Sequence, residues 1–215
     1  DKVALASSLG LEDQVITHMI ASLGLPIDIF TLDTGRLFQE TYDLIERTQE
    51  RYGRPIRILF PNTKDVEQMI ENHGPNLFRK SVELRKLCCH VRKVAPLKRA
   101  LSELDAWICG LRREQSVTRD SLDIIQWDSA NNVAKISPLA CWTEQQTWDF
   151  IRANKVPYNV LHDKGFPSIG CACCTRTIAP GEDLRAGRWW WENPEHKECG
   201  LHLAPGEPRR KKEKP

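Results

Sequence analysis

Val3-Ala4-Leu5-Ala6-Ser7-Ser8-Leu9-Gly10-Leu11-Glu12-Asp13-Gln14-Val15-Ile16 passes from a short apolar run, through small residues, into a segment with Val15, Ile16, Met19 and Ile20 on one helical face. It reads as strand, tight loop, helix, with the strand at 3–6 and the helix at 11–23. The same alternation continues: strand 27–32, helix 38–51, strand 56–60, helix 64–71, helices through 81–104, strand 106–110. A chain alternating in this way predicts an α/β fold, a parallel sheet with helices on both faces. Segments 124–127 and 133–136 flank Asn131-Asn132 and predict a hairpin or edge pair, and 143–154 a helix capped by Thr143. From Pro157 onward Gly, Pro, Cys and Trp dominate, so this part is expected to be loop-rich and ordered by something other than a conventional core.

The 215 residues fit one or two domains, and we expect one over 1–204, with 157–204 a loop-rich C-terminal catalytic segment and 205–215 a basic solvated tail. Apolar residues at 40% and charged residues at 28% exclude a disordered body. The net charge of +2 combines a tail of +3, where Arg209, Arg210, Lys211, Lys212 and Lys214 outnumber Glu207 and Glu213, with a body of −1. That distribution removes the electrostatic case for nucleic-acid binding. Without an apolar span or a leader peptide, the expectation is a soluble, cytoplasmic protein, no membrane partner, and possibly a homo-oligomer. Lys2 runs into the first strand at once, so a further segment is expected ahead of Asp1.

Strand ends in an open parallel sheet are where ligands sit, and a small-residue loop entering a helix aims N–H groups and the positive dipole end at an anion. Ser7-Ser8-Leu9-Gly10 is such a loop, with a phosphate or sulfate the expected guest, although a plain capped turn reads the same way. Leu32-Asp33-Thr34-Gly35-Arg36 closes the second strand, where backbone can meet a nucleobase and Arg36 an anion. Arg112, Arg113 and Arg119 follow the strand ending at Gly110 and suit an anionic ligand or a solvated loop.

Eight cysteines without an export signal point to metal or redox chemistry. Cys109 and Cys141 lie in apolar stretches and read as core. Cys88-Cys89 and the C-x-x-C of Cys171-Ala172-Cys173-Cys174 supply four thiolates from distant segments, enough for tetrahedral zinc or a [4Fe–4S] cubane. A vicinal pair is an awkward chelate on one small ion, whereas a cubane presents separate irons to adjacent cysteines, so the cluster is the better reading. Cys173 is a third thiol in that loop, an oxidation liability if free. Lys93, four residues past Cys89 on a helix, projects from the same face and can place an ammonium between cluster and substrate. Arg85 and Arg92 either share this role or are solvated. Cys199 stands alone beside His196, Lys197 and His202, a pattern suited to a nucleophile with a lowered pKa. The run Trp189-Trp190-Trp191 reads as a lid, a docking face or packing beneath the loops.

Ser7 to Asp13, Leu32-Asp33-Thr34-Gly35-Arg36-Leu37, Cys88-Cys89, Cys171-x-x-Cys174, Arg185-Ala186-Gly187-Arg188-Trp189-Trp190-Trp191-Glu192 and Glu198-Cys199-Gly200-Leu201-His202 together resemble the assimilatory adenylyl-sulfate reductases. These are the iron–sulfur branch of the sulfonucleotide reductases, and the match runs from Val3 to about His202. The resemblance implies an adenine nucleotide α-hydrolase-like sheet and thioredoxin-dependent reduction of adenosine 5′-phosphosulfate to sulfite and AMP through an S-sulfocysteine on Cys199. It implies a [4Fe–4S] cluster on Cys88, Cys89, Cys171 and Cys174, acting as an electrostatic and structural element. Lys93, Arg119, Arg185 and Arg188 would hold the phosphosulfate; Ser7, Ser8, Gly10 and Leu32 would line the nucleotide pocket, and Gly35 and Arg36 would also bind substrate. The rivals are a reductase for the 3′-phosphorylated nucleotide, whose pattern lacks both cysteine pairs, and an ATP-using thiolation or adenylation enzyme, whose loop reads Ser-Gly-Gly-x-Asp-Ser. A zinc-stapled binding domain is the non-enzymatic rival.

Overall fold

The computed structural model describes residues 2–115, 119 and 121–193. Strands β1 (Val3–Ala6), β2 (Asp28–Leu32), β3 (Arg57–Leu59), β4 (Ala106–Ile108), β5 (Ile125–Asp128) and β6 (Val133–Ile136) form one sheet in the order β3-β2-β1-β4-β6-β5. All neighbours run parallel except β5, which pairs antiparallel with β6 as the hairpin reading requires. Asn132 turns that hairpin at φ 54°, a left-handed conformation that asparagine tolerates.

Alternation along the strands divides the core. Leu5, Ile29 and Ile108 face one side with Val15, Ile16 and Ile20 of α1 (Leu11–Ser22), Leu44 and Ile45 of α2 (Gln39–Tyr52) and Ile151 of α6 (Glu144–Asn154). Ala4, Phe30 and Trp107 face the other with Leu97, Ala100 and Leu101 of α5 (Ala95–Leu101). Helices therefore cover both faces, as expected. Thr143 caps α6 in a full capping box with Gln146.

Connectivity locates the site. The chain steps outward from β1 to β2 and β3, then returns to place β4 on the other side of β1. The order reverses between β1 and β4, and the carboxyl ends of those two strands open the crevice where such sheets bind ligands.

A third cluster lies beyond the sheet. Met69 of α3 (Thr63–His73), Leu77, Phe78, Cys88 and Cys89 of α4 (Val82–Cys89), Cys171, Cys174 and Trp189 are buried together. The loop-rich segment thus packs onto α3 and α4 through a small shared core, built largely from thiols and aromatic rings. The expected single helical stretch at 81–104 is α4 and α5 joined by a π-helical turn, His90–Val94. Such wide turns occur often at functional sites. Cys141 departs from its reading as core: it is exposed, at the turn between β6 and α6, whereas Cys109 is buried. Among the described residues no helix is long and apolar enough to cross a membrane.

Candidate active site and thiol pocket

The β1–α1 loop is held in a strained, specific shape. Leu9 is buried at φ 62°, which costs a residue with a Cβ about 1–3 kcal/mol. The carboxylate of Asp13 pays for it: one oxygen accepts from both the Ser8 N–H and the Ser8 hydroxyl at 2.6 Å, and the other accepts from the Gly110 N–H at 2.8 Å. Asp13 thereby clasps the two loops that border the crevice, one after β1 and one after β4. Gly110 has to be glycine, because a Cβ there would lie 2.4 Å from Asp13 Oδ1. Gly10 caps α1 without a side-chain acceptor, which leaves that helix end suited to an anionic ligand.

Burial pushes the Asp13 carboxyl up to about 6, against the hydrogen bonds from Ser8 and Gly110 that favour its charged form. The fold therefore favours the protonated acid. Stability from this group is full below the ordinary carboxyl range and is lost as pH rises through the folded value. Chemical denaturation should show wild type losing stability relative to Asp13→Asn between pH about 4 and about 6. Parallel curves across that window would contradict the assignment.

Beside this clasp, Arg112 does not serve an anion. Its Nε donates to Glu12 at 2.7 Å and its Nη1 lies 3.2 Å from Glu114, with the guanidinium almost fully buried. It locks the β4 loop onto α1. Arg113 donates to the Leu122 carbonyl at 2.9 Å. Arg119 donates to the Gln115 side chain on the same loop. The expected arginine cluster is thus divided between scaffold and loop.

The end of β2 leads to the second half of the site. Asp33 accepts from the Gly35 N–H at 2.7 Å and the Tyr42 hydroxyl at 3.0 Å, which shapes the turn through Gly35 at φ 69°. Onto this turn docks the cysteine loop. The Ala172 N–H donates to the Arg36 carbonyl at 2.8 Å, and Thr34 Oγ1 lies 3.3 Å from Cys171 Sγ. Cys171, Cys173 and Cys174 then meet Cys88 and Cys89 around one small pocket, whose lining also includes Arg36, Phe78, Arg85, Arg92, Lys93, Arg188 and Trp189. The two cysteine pairs, so far apart in sequence, come together as expected.

Charge defines what this pocket suits. Five cationic side chains share its lining with five thiols, and none of these lining residues is a carboxylate. Such an environment favours thiolates and anions. Cys88 is pushed up by burial, with Arg92 opposing. Cys173 is pulled down to about 6, first by the Cys174 thiol donating to it and then, against burial, by the Arg36 guanidinium; Cys174 is raised in turn. Arg92 donates to the Thr34 carbonyl at 2.6 Å, and its buried Nε has no hydrogen-bond partner among the described residues. Arg85 and Arg92 are buried at the pocket wall and not solvated.

Trp189 is the wall. It is buried at φ 40°, an unusual conformation for so large a residue, between two guanidinium groups: Arg85 Cζ is 4.7 Å and Arg188 Cζ 4.8 Å from its ring centroid. Arg85 is in turn held by Glu192 at 2.7 Å, with both side chains buried. Arg188 donates to Ser168 Oγ at 3.2 Å and the Ile169 carbonyl at 3.3 Å. The first tryptophan of the run is therefore packing, while Trp190 stays partly exposed. Thr34 and Glu192 were not singled out as site residues, although both stand inside quoted motifs.

Of the expected substrate contacts, Arg36, Lys93 and Arg188 line the pocket. Ser7, Ser8 and Gly10 surround the end of β1, and Leu32 and Gly35 the end of β2. Arg185 lies on the turn after Asp183, whose carboxylate accepts from its N–H at 2.8 Å, outside the pocket lining. Cys199, His196, Lys197 and His202 lie outside the described residues.

A single zinc ion about 2.3 Å from each of four sulfurs draws them into mutual contact. Among the described residues, no group of three or more His, Cys, Asp or Glu side chains is arranged to hold one metal ion. Four thiols of two distant segments lining one cation-rich pocket are compatible with an iron–sulfur group.

Fold and site define an α/β protein of the adenine nucleotide α-hydrolase-like type, whose strand-end crevice abuts a thiol-lined, cationic pocket. The pattern of the phosphoadenosine phosphosulfate reductase domain matches residues 2–177, and the chain belongs to that family. It is 55% identical to the adenosine 5′-phosphosulfate reductase of Burkholderia cepacia, over 94% of this chain and 81% of that one. Identity to the enzyme of the same name from Allochromatium vinosum is 54%, over 97% and 82% of the two chains. Among solved structures, the phosphoadenylyl-sulfate reductase from Candida auris superposes with a TM-score of 0.70 at 30% identity, over 83% of this chain and 84% of that one. Yeast FAD synthetase, at 18% identity and TM-score 0.54, covering 82% of this chain and 58% of its own, shares the fold alone.

Proposed function

We propose that the protein is an oxidoreductase that converts adenosine 5′-phosphosulfate to sulfite and AMP. The observation that carries this reading is the convergence of Cys88 and Cys89 with Cys171 and Cys174 in a cation-lined pocket next to the strand-end turn of Thr34 and Arg36. The names of the relatives support the substrate.

Cys88, Cys89, Cys171 and Cys174 would hold a [4Fe–4S] cluster. Bound there, the cluster supplies fixed charge and a rigid junction between α4 and the cysteine loop. The chain's own residues do the rest. Ser7, Ser8 and Gly10 receive the phosphate side of the nucleotide at the α1 N-terminus, and Leu32 and Gly35 present backbone to the adenine. Lys93, Arg119, Arg185 and Arg188 hold the phosphosulfate and stabilise the charge that develops on the departing phosphate. Cys199, as thiolate, attacks the sulfur; the sulfur–oxygen bond to AMP breaks and the sulfo group stays on the cysteine. A thiolate of thioredoxin then attacks the Cys199 sulfur, sulfite leaves with the bonding pair, and the second thioredoxin thiol resolves the mixed disulfide. Both electrons come from the thioredoxin thiols.

The test is a sulfite assay with thioredoxin on the full chain, run with the nucleotide bearing and lacking the 3′-phosphate. Release from the unphosphorylated form only, or much faster from it, is expected; preference for the 3′-phosphorylated form favours the rival reductase, and no sulfite from either removes the assignment. Lys93→Ala should lower turnover about 100-fold with folded yield unchanged. An unchanged rate in that variant would leave Lys93 a bystander at the pocket wall.

A further inference from the structure

The pocket presents more sulfur than a four-iron cluster uses. Cys173 lines the same cavity as Cys171 and Cys174, and its Sγ lies 3.7 Å from Cys174 Sγ. It sits on the same short turn, Ala172–Cys174, whose backbone is fixed independently of either thiol: the Cys174 N–H donates to the Cys171 carbonyl at 2.9 Å, and so does Thr175 Oγ1. The two sulfurs are therefore neighbours on one turn whose backbone contacts involve neither of them. Arg36 Nη1 lies 3.7 Å from Cys173 Sγ, so the pocket already compensates a thiolate at this position. Cys173-Cys174 is also a vicinal pair, the same relation as Cys88-Cys89 across the cavity.

We propose that Cys173 is a reserve ligand: it replaces Cys174 on the same iron when Cys174 is lost or modified, and exchanges with it in the intact protein. The proposal rests on the cluster reading given above. The exchange is redox-neutral: the bond from iron to Cys174 sulfur breaks, that to Cys173 sulfur forms, and the proton leaving Cys173 ends on Cys174. A chain with this provision keeps its iron after damage to one ligand.

The experiment uses the full chain, purified without oxygen, as wild type, Cys174→Ala, Cys173→Ala and the double variant. Iron and labile sulfide are counted, and iodoacetamide labelling of each cysteine in the folded protein is read by mass spectrometry. Cys174→Ala should keep about half or more of the wild-type iron while Cys173 becomes about tenfold less reactive, and the double variant should lose its iron. A Cys174→Ala protein as iron-poor as the double variant, or with Cys173 labelled as fast as in wild type, overturns the proposal. Should that variant not accumulate folded, wild-type labelling decides: exchange predicts Cys173 and Cys174 reacting within about tenfold of each other while Cys88 stays protected. Complete protection of Cys174 beside a fully labelled Cys173 excludes exchange. Wild type without iron overturns the cluster reading itself, a result distinct from loss of iron in the variants alone.

Discussion

Cys199→Ser should abolish sulfite release, by about 1000-fold or more, while leaving fold and iron content as in wild type. The serine hydroxyl has nearly the size of the thiol but is not ionised near neutral pH, and an alkoxide-derived sulfate ester offers thioredoxin no sulfur to attack in disulfide exchange. Removing the nucleophile therefore stops both halves of the reaction. The cysteine dyads, the cations around them and the Asp13 clasp keep all of their own groups in this variant. Iron and nucleotide binding retained with turnover lost is the expected pair of results. Sulfite release at the wild-type rate would move the chemistry to another sulfur.

Glu192→Ala should be the most damaging substitution for stability among those considered. Arg85 is wholly buried and its guanidinium is bracketed by Glu192, with Nε at 3.0 Å from Oε1 and Nη2 at 2.7 Å from Oε2. Removing the carboxylate leaves a buried cation whose chief anionic partner is gone, which costs about 3–5 kcal/mol, and in a chain this size about 10 °C in Tm. The loss should spread to the cysteine pocket, since the same guanidinium stacks on Trp189 and the Trp189 N–H donates to the Cys174 carbonyl at 3.2 Å. Replacing both partners, as Arg85→Met with Glu192→Leu, should recover much of the stability without restoring the pocket's charge. A Tm shift of Glu192→Ala within about 2 °C, characteristic of an exposed pair, would show that the ion pair carries no structural load.

Much of this architecture was legible because it is written in local patterns. The strand, loop and helix of residues 3–22, the hairpin around Asn131-Asn132 and the Thr143 cap each depend on residues a few positions apart. The meeting of the two cysteine dyads was legible for a different reason: metal chemistry requires several thiolates at one place. What the sequence hid are pairings without a local signature. Arg112 looked like an anion ligand because its partner, Glu12, stands 100 positions away, and Arg85 meets Glu192 across 107. Cys141 sits in an apolar stretch yet is exposed, because the chain is turning there between β6 and α6 rather than entering an element. Lys93 reached the pocket through a π turn where an α turn was expected; a displacement of four residues returns the side chain near the same face in either helix.

The measurement that bears most directly on the whole account is the iron and acid-labile sulfide content of the full chain, purified without oxygen and analysed for zinc on the same sample. About four iron and four sulfide per chain, with zinc near zero, is the predicted result. One zinc per chain and no sulfide would contradict it.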